Sequence, residues 1–208
     1  MMYLAHLLIG LAIGFLGVVP PGLLNLTAAK ISIKQGSSAA HFFALGATLI
    51  VVGQVYVGVF FSKLLMANPD LVTIMEQAAV VAFVVLSIFF FIKARIDKGQ
   101  IKIDASTRST GQLIGQGIIL SLLNVFPVPF YLGFSSFLAG RGWFIFEPTY
   151  AYLFIVGAVM GTYGMLAIYI KYVRKFSFDS NTFAKKTNYL LSMLTMAIAL
   201  FTATKLYF

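Results

Sequence analysis

Two short proline motifs interrupt long apolar stretches of this chain: Pro20-Pro21-Gly22 and Pro127-Val128-Pro129. Proline has no N–H, and its ring collides with the carbonyl of the residue four back. In continuous helices these prolines would leave the carbonyls of Leu16, Gly17, Leu123 and Val125 without donors. In hydrocarbon such groups cost several kcal/mol each, so broken backbone there is tolerated only when buried in protein or lining a wet cavity. A helix restarting after each break would present free amides, on Gly22 to Leu24 and on Phe130 to Leu132, as a partly positive end. The freed carbonyls would form a negative end. Such a pair suits a zwitterion, with its carboxylate on the amides and its ammonium on the carbonyls. Asn25 and Asn124 flank the breaks and can both donate and accept. With Gln54 from the next apolar run and Tyr131 beside the second break, the expected substrate-binding set is Pro20, Pro21, Gly22, Asn25, Gln54, Asn124, Pro127, Pro129 and Tyr131. A single such proline is more often a kink than a site; two breaks at matching positions tip the balance toward a site.

The rest of the chain must place these motifs inside a membrane. Of 208 residues, 60% are apolar and only 10% charged, against roughly 25% charged in an ordinary soluble domain. That excludes a soluble enzyme, a disordered chain and a collagen-like repeat. There is no cysteine, so disulfide frameworks and thiolate metal sites are excluded too. The net charge of +9 comes from bases that flank apolar runs, which reads as membrane orientation rather than nucleic-acid binding.

The uncharged runs predict six helices, at Tyr3–Ile33, Ala39–Phe61, Leu71–Ile92, Leu113–Leu138, Tyr150–Ile170 and Tyr189–Leu206. The first and fourth exceed the roughly 20 residues of a straight span, and these are the two with prolines. The first has no basic segment before its apolar core and no A-x-A site after it, so it reads as a span and not a cleavable signal. Twelve of the fifteen basic residues fall in the odd-numbered loops; only Lys63, Arg141 and Lys205 fall on the other side. The bias predicts cytoplasmic odd loops and external termini.

The two halves resemble each other. Pro20 and Gly10 precede Pro127 and Gly117 by 107 residues, Gly46-Ala47 and Gly53 precede Gly157-Ala158 and Gly164 by 111, and Lys93 precedes Lys205 by 112. Three helices per copy is an odd number, so the second copy must be upside down, as in many secondary transporters. The expected fold is an all-α integral membrane protein of six transmembrane helices in two inverted three-helix repeats, residues 1–95 and 113–208, joined by a cytoplasmic linker at 96–112.

Other residues carry weaker signals. Glu76, about a turn into the third predicted helix, reads first as an interfacial carboxylate and second as a coupling or gating group. Thr162 and Tyr163 are rough counterparts of Gln54 and Tyr56, with inter-helix hydrogen bonding the first reading for each. Gly10-x-x-x-Gly14, Gly111-x-x-x-Gly115 and Gly157-x-x-x-Gly161 allow close helix packing, within a subunit before homodimerisation. His6 and His41 are isolated, so neither a metal site nor a cofactor is expected. No Gly-x-Ser-x-Gly turn or His-Glu-x-x-His helix is present, and an enzyme is not expected.

With these motifs the chain resembles the LysE/RhtB amino-acid exporter family. That family has Pro-Gly-Pro in its first helix, with glycines about 15 and 25 residues further on; here Pro21-Gly22 is followed by Gly36 and Gly46. Its second half has Gly, seven residues, then Asn-Pro; here Gly117 is followed by Asn124. Leu23 stands in place of the second Pro, Val125 separates Asn124 from the delayed Pro127, and Gly53-Gln54 lies about one turn from where the family often has an Asp. The resemblance implies a secondary transporter of the bacterial plasma membrane. It would export an amino acid or derivative, with a proton or sodium ion as coupling partner and lipid as solvent. Export of a metal or other ion, and a non-transporting scaffold, are the alternatives.

Overall fold

A computed structural model describes residues 2–19, 22–96, 108–172 and 180–207. Among the described residues the chain is helical throughout, without strands, and the helices number eight rather than six: α1 (Met2–Val18), α2 (Leu23–Gln35), α3 (Ser37–Ala67), α4 (Pro69–Ile96), α5 (Thr110–Leu122), α6 (Pro127–Gly140), α7 (Pro148–Tyr172) and α8 (Ser180–Tyr207). The count differs because the first and fourth predicted helices are each two helices. α1 and α2 meet at 78°, and α5 and α6 at 60°. α3 and α7 are long and apolar enough to cross a membrane, and so is each bent pair taken as one span. α4 and α8 stand where the third and sixth spans were expected.

The helices form two compact units. One holds α1, α2, α3, α5, α6 and α7; the other holds α4 and α8. The compact units therefore do not follow the division at residues 95 and 113: the last helix of each half pairs with its counterpart. In that pair Ser87 and Ser192 exchange hydrogen bonds, each hydroxyl donating to the other's carbonyl at 2.9 Å. The Phe91 ring lies edge-on to Tyr189, 6.0 Å away. Numbering that rises along α4 thus falls along α8, so the two helices are antiparallel.

Glycines set the close crossings of the larger unit. Gly10 and Gly14 of α1 lie on the backbone of Phe154 and Ala158, and Gly157 and Gly161 of α7 lie on the backbone of Leu7 and Leu11. A methyl group at any of these positions would run into a backbone carbonyl. α3 and α5 cross likewise, with Gly46 on the Ile114 carbonyl and Gly117 on that of Phe43. The expected partner motif in α5, Gly111 and Gly115, has nothing within 4 Å; Gly117, two residues further on and so on another face of the helix, makes the crossing instead. The contacts also carry over between halves. Shifting Gly10–Phe154 and Gly157–Leu7 by the 107- and 111-residue offsets gives Gly117–Phe43 and Gly46–Ile114.

Two apolar clusters fill the unit. One joins Ile13 of α1, Val51, Val55 and Val59 of α3, Tyr131 and Leu138 of α6, and Phe154, Ile155 and Ala158 of α7. The other joins Leu24, Ala28 and Ile31 of α2, Ala40, Phe43, Ala44 and Ala47 of α3, Leu113 of α5, and Leu166 and Ile170 of α7. α3 and α7 thus run through both clusters, whereas the broken pairs divide: α1 and α6 serve one cluster, α2 and α5 the other. The breaks fall at the changeover.

Candidate functional site

At that changeover polar side chains are buried. Thr48 stands between Ala47 of one cluster and Val51 of the other, and Thr162 between Ala158 and Leu166; both lie near the middle of their helices. Asn25, Gln54 and Ser121 are also buried, at 2%, 9% and 1% exposure. In a span's interior such groups need partners; Asn25 and Gln54 find theirs at the breaks, whereas Thr48 bonds within its own helix.

At the first break Pro20 and Pro21 lie outside the described residues, so the expectation for them is carried by their neighbours. α1 ends at Val18, and the Val19 amide still reaches the Leu16 carbonyl at 3.2 Å. The side-chain amide of Asn25 donates to the Val18 carbonyl at 2.6 Å, and the Tyr169 hydroxyl donates to that of Val19 at 2.9 Å. α2 begins after Gly22, which is extended (φ −104°, ψ −172°) and offers no side-chain cap. The first bond of the new helix runs from the Leu26 amide to the Gly22 carbonyl. Leu23 and Leu24 therefore open α2 with amides that have no carbonyl four residues back within the helix.

The second break is built differently. α5 leaves the helix at Leu123, ahead of the prolines, and Pro127 and Pro129 occupy the first turn of α6. In a first turn the missing N–H costs nothing, because that donor has no intrahelical partner. The carbonyls of Leu123 and Val125 are therefore not stripped by a ring inside a continuous helix. Nor is there an amide cradle at Phe130 to Leu132: Phe130 donates to Phe126 within α6 at 3.2 Å, and two of the first three positions are prolines. Instead Gln54 of α3 closes the end of α5. Its side-chain amide donates to the carbonyls of Ser121 and Asn124, at 2.9 and 2.8 Å. Two carbonyl acceptors fix which way the amide faces, since an oxygen turned toward them would find no donor. Gln54 Oε1 is thereby aimed away, buried and without a donor, and the neighbouring Ser121 Oγ is in the same condition. Thr27 Oγ1 in α2 is a third such oxygen. Buried polar atoms of this kind are places where an ordered water or a bound donor fits.

The structure thus joins Gln54 and Asn124, the latter through its backbone carbonyl. Asn25 is placed on the other break. The ends of the two breaks approach each other, for a Cβ on Gly17 would meet the Phe130 ring at 2.8 Å. Tyr131 sits in the apolar cluster, its hydroxyl 3.4 Å from that of Thr162, which faces the Gly14 carbonyl. The Glu76 side chain lies outside the described set; its backbone belongs to α4. Ser121 and Tyr169 escaped the sequence reading. A serine three residues before Asn124 in an apolar helix was the available signal for the first; nothing local marks Tyr169.

Among the described residues no group of His, Asp or Glu could hold a metal ion. His6 is buried but fully engaged: Ile145 N–H donates to Nε2 at 3.1 Å, which leaves Nδ1 to donate to the Met2 carbonyl at 2.9 Å. It ties α1 to the segment before α7.

The family model for the LysE type translocator matches residues 15–206. No curated protein and no solved structure matches the chain. A match over nearly the whole length places this chain in the LysE type translocator family, as a multi-pass membrane protein.

Proposed function

We propose that this translocator exports a small amphipathic solute, an amino acid or a derivative, across the bacterial plasma membrane. The observation that carries the reading is the second break, where Gln54 caps α5 and leaves its own Oε1 and Ser121 Oγ buried without donors. The solute's ammonium supplies the missing hydrogens there. Its carboxylate takes the opening amides of α2 at Leu23 and Leu24, where the helix end is partly positive. The two breaks divide the roles: one offers amides, the other oxygens.

The same layout supports alternating access. α3 and α7 run through both apolar clusters while the broken helices change sides, so rocking of the two inverted repeats opens the polar layer to one side and then the other. The glycine crossings related by the 107- and 111-residue offsets support that symmetry. The basic bias of the odd loops supports external termini. A proton or sodium ion drives export, and Glu76 of α4 is the carboxylate available to couple it.

Efflux of the twenty amino acids from loaded cells, with and without the chain expressed, tests the reading. Expression-dependent loss of one or a few of them is the expected result. Unchanged retention of all twenty and of a panel of their analogues would overturn it.

A further inference from the structure

A groove of about 480 Å³ runs along α5, lined by Arg108, Gln112, Gly115, Gln116, Ile119 and Leu120. Its volume lies within the roughly 300–1,000 Å³ of small-molecule sites. Gly115 has nothing within 4 Å of the place a Cβ would take, so the groove is wide there. The polar groups are unevenly placed. Arg108 is half-buried at the mouth and is the only charge among the lining residues. The end of α5 is not the attraction, because Ser109 and Gln112 close a capping box over its first amides. Further down, Gln116 keeps its Oε1 buried without a donor, and Ile119 and Leu120 supply an apolar floor. The next residue is Ser121, whose hydroxyl is likewise without a partner beside Gln54.

We propose that this groove is the loading site at which the exported solute enters from the side of the basic loops. The inference rests on the exporter reading above. The guanidinium of Arg108 takes the carboxylate, whose planar geometry it matches with paired N–H donors. The apolar side chain lies over Gly115, Ile119 and Leu120, and the ammonium donates to Gln116. From there the solute passes along α5 to the oxygens of Ser121 and Gln54. Among the described residues that line the groove none is acidic and one is a guanidinium, which favours an anionic group over a metal cation or a polyamine.

The test uses inside-out membrane vesicles, whose uptake is the export reaction with the basic side facing the medium. The probes are whichever of the twenty amino acids is exported fastest and its carboxamide, which keeps the size and ammonium but lacks the carboxylate. Arg108→Gln is expected to raise KM for the amino acid about 10-fold, the worth of one charge-assisted hydrogen bond, with Vmax and the KM of the carboxamide unchanged. Arg108→Lys should recover part of the loss. An unchanged KM in Arg108→Gln, with wild-type transport intact, overturns the loading site and leaves the exporter reading standing. An unchanged KM together with a new dependence on anionic phospholipid content also overturns it, and assigns the groove to a lipid headgroup. Wild-type vesicles that carry no amino acid overturn the exporter reading and this proposal with it.

Discussion

The side-chain amide of Gln54 donates to the backbone carbonyl of Ser121 at 2.9 Å, across 67 residues of sequence. This one bond ties the middle of α3 to the end of α5. It also settles where the Gln54 oxygen faces. The break in the fourth predicted helix is therefore held open by a side chain from elsewhere, while the prolines begin the helix that follows.

Replacing Gln54 with Leu leaves the carbonyls of Ser121 and Asn124 without their side-chain donor. A loss of about 1–3 kcal/mol is expected for buried acceptors of this kind, seen as a lower unfolding temperature in detergent. Gln54→Glu keeps the length but not the N–H pair, and should lose a similar amount. Thermal unfolding of the two variants beside wild type checks this; a Glu variant as stable as wild type would show that the donors are not needed.

Ser121→Ala separates stability from binding. The hydroxyl has no hydrogen-bond partner within the protein, so its removal should leave the unfolding temperature unchanged or slightly raised. A hydrogen bond to a charged group is worth about 1.5–3 kcal/mol, so under the proposed function KM for the solute should rise by roughly tenfold or more. Transport kinetics and unfolding measured on the same preparation test both halves of this expectation.

Glycine substitutions should sort by crossing. Gly117→Ala pushes a methyl group into the Phe43 carbonyl, and Gly10→Ala into that of Phe154; overpacking of this kind costs typically about 1–3 kcal/mol. Gly115→Ala meets nothing within 4 Å and should be neutral or stabilising, since Ala is the better helix former by about 1 kcal/mol. Unfolding temperatures that do not separate the first two from the third would contradict the packing described.

Much of this was legible in the chain. The apolar runs and the prolines placed both breaks, because a proline inside a span has few outcomes. The glycines at 10, 46, 117 and 157 were visible as repeated positions, although spacing alone favoured Gly111 and Gly115. Small residues in a regular pattern show that a crossing is allowed; which crossing forms depends on the neighbour. Gln54 was visible only as a polar residue in an apolar helix. Its role depends on carbonyls 67 and 70 residues away, and no local rule connects them. The amide cradle expected at Phe130 failed for a related reason: where the first helix ends cannot be read from the proline, and α5 stops four residues before it.

Ser87 and Ser192 should be coupled across α4 and α8. Each hydroxyl donates to the other's carbonyl, and such bonds between membrane helices average about 0.6 kcal/mol with a maximum of about 1.7. A double-mutant cycle with Ala at each position, read by unfolding in detergent, should return a coupling in that range. Strict additivity would contradict the pairing.

One measurement tests directly whether the two broken helices form the solute site, as proposed. All four prolines of the breaks, Pro20, Pro21, Pro127 and Pro129, are replaced with Ala, and efflux of the exported amino acid is followed from loaded cells. Ala adds no charge and favours the helix, so the variant should reach the membrane at the wild-type level. The restored amides can then extend α2 and α6 backward across the breaks and cover the oxygens of Gln54 and Ser121. Efflux should fall to the level of cells without the protein. Full efflux at normal expression would mean that the prolines only shape the helices, and that the solute binds elsewhere.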